Sequence, residues 1–134
     1  MAKPPEFFID RSLGRRAVAE ALEAHGLVVH TMSAVYGELI GQGLTDETWL
    51  RDVGTRGWIV LMKDDAIRRR PLERDALIAG GVRAFCLANA QLRGEEMARR
   101  FVTNRHRILR QAQHPGPYIY GVYENRIARL WPRH

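Results

Sequence analysis

Four aspartates stand where apolar sequence ends or a helix is signalled to begin. Asp10 follows Phe7-Phe8-Ile9, Asp46 follows Thr45, and Asp64 and Asp65 follow Ile59-Val60-Leu61-Met62-Lys63. A continuous apolar run such as residues 58–62 reads as a strand buried on both faces of a parallel sheet. In such sheets ligands gather in the crevice beyond the carboxyl ends of the strands. In a right-handed βαβ unit a helix starts on the side where the preceding strand ended, so Asp46 and Glu47 would face the same rim as Asp10, Asp64 and Asp65. Crowded carboxylates repel, and a hard divalent cation with oxygen ligands, Mg²⁺ or Mn²⁺, is the usual remedy. Such a cation activates water and offsets charge on a phosphoryl oxygen.

The elements that must position these acids follow in order. Glu6 to Asp10 reads as a first strand, and Arg11-Ser12-Leu13-Gly14 as a turn in which Ser12 can cap what comes next. From Arg15 to His25, Ala17, Val18, Ala21 and Leu22 fall on one helical face, and Gly26 suits the end. Leu27 to Thr31 is a second strand, which completes a βαβ unit. Residues 32–44 admit either a short helix through Val35, Leu39 and Ile40 or a loop bent at Gly37, Gly41 and Gly43. Thr45 is a good N-cap, Trp49, Leu50 and Val53 give the next helix its apolar side, and Gly54 or Gly57 closes it.

Beyond the strand at 58–62, Pro71 opens a helix over Leu72 to Ala79 that Gly80-Gly81 stops. Val82 to Leu87 is a fourth strand ending near Asn89. One long helix is predicted over about residues 91–112, with Met97, Phe101 and Ile108, and Ala98, Val102 and Leu109, as its buried stripe. His114-Pro115-Gly116-Pro117 breaks it. Two further strands, 118–123 and 126–131, are joined at Glu124-Asn125. The chain reads as a single α/β domain over 1–134, with a core over about 5–112 and a C-terminal strand pair over about 117–131. The paired tail strands have three uses open to them: extending the sheet, contacting a second copy in a homodimer, or binding a protein partner.

Charge narrows the function. The net +6 divides into residues 1–65, with 7 Lys/Arg against 10 Asp/Glu, and residues 66–134, with 14 Arg against 5 Asp/Glu. An arginine-only basic half beside an acidic centre suits a polyanion such as a nucleic acid, or else is a solvated face or one that docks an acidic protein. Arg68-Arg69-Arg70 directly follows the acid pair and is the best candidate phosphate contact. Acidic rim and arginine flank together are what metal-assisted cleavage of a nucleic-acid backbone requires.

Other chemistries lack support. Cys86 stands alone, so no disulfide framework or thiolate metal cluster is expected. His25, His30, His106, His114 and His134 show no zinc spacing. The glycines at 37, 41 and 43 do not form a phosphate loop, and Ser12 and Ser33 lack a nucleophile-elbow context. No apolar run reaches a membrane span, and the first residues carry no signal-like apolar stretch, so no membrane association and a cytoplasmic location are expected. Each acid also has a plain structural explanation: Asp10 before Ser12 can begin a helix, Asp46 and Glu47 suit a helix dipole, and Asp64-Asp65 suits a turn.

Three segments carry a family likeness. Phe-Phe-Ile-Asp-Arg-Ser-Leu-Gly at 7–14, Leu-Thr-Asp-Glu-Thr-Trp-Leu at 44–50 and Ile-Val-Leu-Met-Lys-Asp-Asp at 59–65 resemble the PIN-like ribonucleases. The likeness is to the branch that includes Mut7-C-type domains and VapC-type toxins of bacterial toxin–antitoxin pairs, and it covers about residues 5–110. It implies a three-layer α/β fold with a mainly parallel sheet, Mg²⁺- or Mn²⁺-dependent RNA cleavage, and an antitoxin partner. By that resemblance Asp10, Asp46 and Asp64 match the catalytic, metal-holding acids, with Asp65 a helper ligand. Lys63 matches a basic residue before the last acid, and Arg11, Lys63, Arg68, Arg69 and Arg70 form the expected RNA-contacting set. Two departures stand out: Glu38 is only a candidate for a further helical acid, and Asn89 occupies a position that is acidic in many relatives. A non-catalytic nucleic-acid-binding or regulatory module on the same scaffold is the rival expectation. A small-substrate phosphatase is disfavoured by Ser12 standing where a second aspartate would be needed.

Overall fold

The computed structural model describes residues 4–14, 16–63, 66–89 and 91–133. Asp64 and Asp65 lie outside the described residues. Six strands form one sheet: β1 (Glu6–Ile9), β2 (Val28–Thr31), β3 (Ile59–Met62), β4 (Arg83–Leu87), β5 (Tyr118–Val122) and β6 (Ile127–Trp131). Their order across the sheet is β2-β1-β3-β4-β5-β6, and every neighbouring pair is parallel except β5 with β6. The α/β expectation of a mainly parallel sheet flanked by helices holds. The tail strands extend that sheet.

Alternation along the strands builds two cores. Phe7, Ile9, Ile59, Leu61, Phe85 and Leu87 share one cluster with residues of α1 (Ala17–Ala24), α6 (Gly94–Thr103) and α7 (Arg105–Gln111). Phe8, Val60, Met62, Ala84 and Cys86 pack on the opposite face with Trp49, Leu50 and Val53 of α4 (Asp46–Arg56) and with Ala76 and Leu77 of α5 (Pro71–Gly80). Successive strand side chains point to opposite faces, so an unbroken apolar run such as β3 needs cover on both. Burial on both sides makes three layers.

Local signals set most boundaries. Thr45 caps α4, its hydroxyl accepting from the Thr48 amide at 3.4 Å, and Gly57 ends that helix in the left-handed conformation at φ 74°. Residues 32–44 fold as two short helices, α2 (Met32–Tyr36) and α3 (Glu38–Gly43), around Gly37 at φ 82°. Ser12 does not cap α1, whose N-cap position is Arg16, without a side-chain cap.

The predicted long helix over 91–112 is corrected to α6 and α7, broken at Asn104. Asn104 is fully buried, and its amide nitrogen donates to Arg100 O (2.9 Å), Tyr123 O (2.8 Å) and Glu124 O (3.3 Å). The two later carbonyls belong to the turn between β5 and β6. A buried amide needs such partners, and serving that turn interrupts the regular helix.

Helices α4 and α5 touch backbone to backbone. A Cβ built on Gly54 would lie 2.5 Å from Gly80 O and 2.7 Å from Gly80 Cα. Gly54→Ala is therefore expected to destabilise the protein by about 1–3 kcal/mol, the usual range for overpacking, read as a lower urea midpoint. Asn104→Ala leaves the turn carbonyls short of a buried donor and should cost about 1–3 kcal/mol in the same measurement. An unchanged midpoint in either variant would refute the corresponding packing account.

Candidate active site

The site begins where β1 runs out. The Asp10 amide donates to Leu61 O of β3 at 3.0 Å, so the ladder continues one residue past Ile9 and fixes Asp10 beside the end of β3. The chain then tightens into a 3₁₀ turn over Arg11–Leu13, closed by Leu13 N donating to Asp10 O at 3.0 Å. That turn brings Ser12 back over the carboxylate. Its hydroxyl donates to Asp10 Oδ2 at 2.6 Å and accepts from the Lys63 amide at 3.2 Å. One hydroxyl thus links the first acid to the residue that precedes Asp64.

The other Asp10 oxygen, Oδ1, is buried and has no hydrogen-bond partner among the described residues. Burial pushes the Asp10 carboxyl above its ordinary range, and repulsion from Asp46 adds to this; the Ser12 hydrogen bond and the Arg11 charge oppose it. Asp46 opens α4, where its charge suits the helix dipole. Its Oδ1 accepts from the Trp49 indole Nε1 at 3.0 Å, and Oδ2 lies 3.9 Å from Arg70 Nη1. Arg11 Nη2 stands 3.8 Å from Asp46 Oδ1. The Arg11 guanidinium also donates to the carbonyls of Gly41 (2.6 Å), Gln42 (3.1 Å) and Leu44 (2.8 Å), which fixes the chain leading into α4.

Asp10 and Asp46 share a cavity of about 270 Å³, lined also by Arg11, Ser12, Trp49, Met62, Ile67 and Arg70. Its floor is the top of the second core, since Trp49, Met62 and Ile67 all belong there. Two carboxylates, one with an orphaned buried oxygen, are hard oxygen donors facing arginines. That donor set fits a hard divalent cation. Among the described residues no three acidic, histidine or cysteine side chains gather to hold a metal.

The remaining expected contacts separate in space. Arg70 lines the cavity and is half-exposed, and Arg69 is exposed. Arg68 reaches across the second face to Leu130 O of β6 at 3.3 Å. Lys63 is half-buried, and Ile67, on the far side of the acid pair in sequence, lines the cavity. Glu38 is exposed and borders a separate hollow of about 280 Å³ beside α3. Asn89, just after β4, accepts from the Gln91 amide at 2.9 Å. Sequence reasoning gave no site role to Ser12, Trp49 or Ile67. The available signals were the Asp-Arg-Ser spacing and the i, i+3 spacing of Asp46 and Trp49 on one helix face.

Comparison with known proteins identifies the family. The PIN like domain matches residues 5–89. The chain is 36% identical over 130 residues to a Mycobacterium tuberculosis protein named "Putative ribonuclease VapC45", covering 97% of this chain and 94% of that protein. No solved structure matches the chain. Among the described residues no helix is long and apolar enough to cross a membrane. The matched segment runs from β1 through β4 and takes in both acids of the cavity, and on these grounds the chain belongs to the PIN-like domain family.

Proposed function

We propose that this protein is a divalent-metal-dependent endoribonuclease, the toxin of a bacterial toxin–antitoxin pair, which hydrolyses phosphodiester bonds of cytoplasmic RNA and is neutralised by a cognate antitoxin protein. Family membership and a relative named as a ribonuclease support the activity. The observation that carries the chemistry is the buried Asp10 Oδ1, without a hydrogen-bond partner among the described residues, beside Asp46 in an arginine-lined cavity.

Asp10, Asp46 and Asp64 would hold Mg²⁺ or Mn²⁺, with Asp65 assisting. A cation bound there lowers the pKa of water and offsets charge on the phosphoryl oxygens. The chain's own residues prepare the site. Ser12 orients the Asp10 carboxylate, and the Trp49 indole holds Asp46 at the first turn of α4. Arg11 positions the approach to α4 and adds positive charge beside Asp46. Arg70, which lines the cavity, and the exposed Arg69 next to it in sequence would take the RNA phosphates, with Lys63 contributing charge. Arg68 contributes chiefly by tying its turn to β6.

Purified protein should cut labelled single-stranded RNA with Mg²⁺ or Mn²⁺ and fall silent in EDTA. Asp64→Ala should lose roughly 10²-fold or more, the scale of removing one preorganised charge-stabilising group. Folded protein that binds RNA but never cuts it under any of these conditions would favour the non-catalytic module. Expression in a bacterial host should arrest growth, and Asp10→Asn should relieve the arrest.

The raised Asp10 pKa supplies an independent readout. The folded state holds this proton more tightly than the unfolded chain, whose value is near 3.8. Stability without cation therefore falls as pH rises from about that value through the folded pKa, because the native state then binds the extra proton. Asp10→Asn removes this dependence, so metal-free variant should melt at least as high as wild type at neutral pH. Added Mn²⁺ should raise the wild-type melting temperature, since a ligand of the native state stabilises it, and should leave the variant much less affected. Equal responses would exclude Asp10 as a ligand.

A further inference from the structure

The family match ends at residue 89, so it assigns nothing to the last two strands. Those strands nonetheless reach the rim that carries the acids. In the β4–β5 pairing Leu87 lies opposite Val122, and the Ala88 amide donates to Val122 O at 3.0 Å. The turn over 123–126 therefore leaves the sheet on the edge where Asp10 and Asn89 leave it. Three strand spacings, roughly 14 Å, separate β5 from β1.

That turn is anchored from beneath and within. The Tyr123 amide donates to Arg126 O at 2.8 Å, closing the turn. Asn104, the one buried polar residue among the described residues, donates to Tyr123 O and Glu124 O. On this base the Arg126 guanidinium lies over the Tyr123 ring, 4.1 Å from its centre. A side chain at Gly121 would press on Tyr123 Cε2 at 3.3 Å, so glycine leaves room for the ring beside the strand.

Arg126 is exposed, and among the described residues its guanidinium makes no hydrogen bond or ion pair; the ring is the one partner of that side chain. A guanidinium lying on an aromatic face keeps its in-plane N–H groups turned outward, in the fork that suits a phosphate. Its charge has company: residues 91–134 hold 9 Arg against 3 acids. Arg107 Nη1 is 3.5 Å from Asn104 Oδ1 at the same turn, and Glu124 is the turn's single acid.

We infer that Arg126, stacked on Tyr123, is a second phosphate-binding subsite, which grips single-stranded RNA after it has crossed the ends of β3 and β4 from the acidic cavity. The inference rests on the ribonuclease reading. A protein partner with an acidic segment is the other occupant such an arginine could take. The shared rim with the acids favours RNA.

The test measures RNA binding by the full-length Asp10→Asn protein, where cleavage does not interfere, across a series of salt concentrations. Arg126→Ala, Tyr123→Leu and Arg51→Ala are compared on that background, each first checked by thermal melting. Arg51 is an exposed arginine on α4 and controls for loss of one unit of charge. For a long single strand, Arg126→Ala should weaken binding several-fold and reduce the log–log salt slope by about 0.7, the value for one lost phosphate contact. Tyr123→Leu should show part of that loss, because the guanidinium is no longer held. A strand too short to span from cavity to turn should bind the parent and Arg126→Ala proteins alike. If Arg126→Ala merely matches Arg51→Ala on the long strand, the subsite is overturned while the ribonuclease reading stands. If the parent binds no RNA at all, both fall together.

Discussion

The parallel register of β1 against β3, with Phe7, Phe8 and Ile9 opposite Ile59, Val60 and Leu61, is the constraint on which the site depends. It brings two segments far apart in sequence to end at the same height. The Asp10 amide extends the register by one hydrogen bond, and the Ser12 hydroxyl then joins the Asp10 carboxylate to the Lys63 backbone. Neither link would survive a shift of one residue. Such a slip would also exchange the two faces of β3, sending Ile59 and Leu61 to the α4–α5 side and Val60 and Met62 to the other. The packing that holds the sheet together is the same packing that sets Asp10 beside the end of β3.

Electrostatics at the rim are arranged in opposition. Burial of Asp10 and its repulsion from Asp46 favour the protonated carboxyl, while Ser12 and Arg11 favour the charged one. Asp46 is half-exposed, with an indole donor on one oxygen and arginines near both. The two carboxylates therefore have different surroundings although they share a cavity. Asp10 has the open oxygen and the unfavourable burial, the combination that a cation relieves. The long arginine contacts of Asp46, at 3.8 and 3.9 Å, leave its geometry to the indole and to the start of α4.

Much of this was legible in the amino-acid order because the signals were local. Apolar runs ending in polar residues gave the strands, and Thr45 and Gly57 marked α4 through capping chemistry. The placement of Asp10 and Asp46 on one rim followed from right-handed crossover connections alone. What escaped depended on distant partners. Asn104 sits at helical spacing from Phe101 and Ile108, so periodicity ran straight through it, and only the carbonyls of the β5–β6 turn explain the break. Residues 32–44 are too short and too rich in glycine for a period to appear, yet they fold as two helices. Ser12 looked like a cap, and its actual acceptor and donor lie on Asp10 and, across the crevice, on Lys63.

The contact between Gly54 and Gly80 has a mechanical consequence. It is the point where α4 touches α5 without intervening side chains, and it lies eight residues along the helix from Asp46. At 1.5 Å per residue the lever arm is about 12 Å, so a tilt of roughly 5° about this fulcrum swings Asp46 by about 1 Å. A displacement of that size is about what separates a productive constellation from one crippled by two orders of magnitude. The smallest residues in the α4–α5 interface therefore act as a bearing, and the accuracy of the cavity is set partly at the far end of the helix that supplies its second acid.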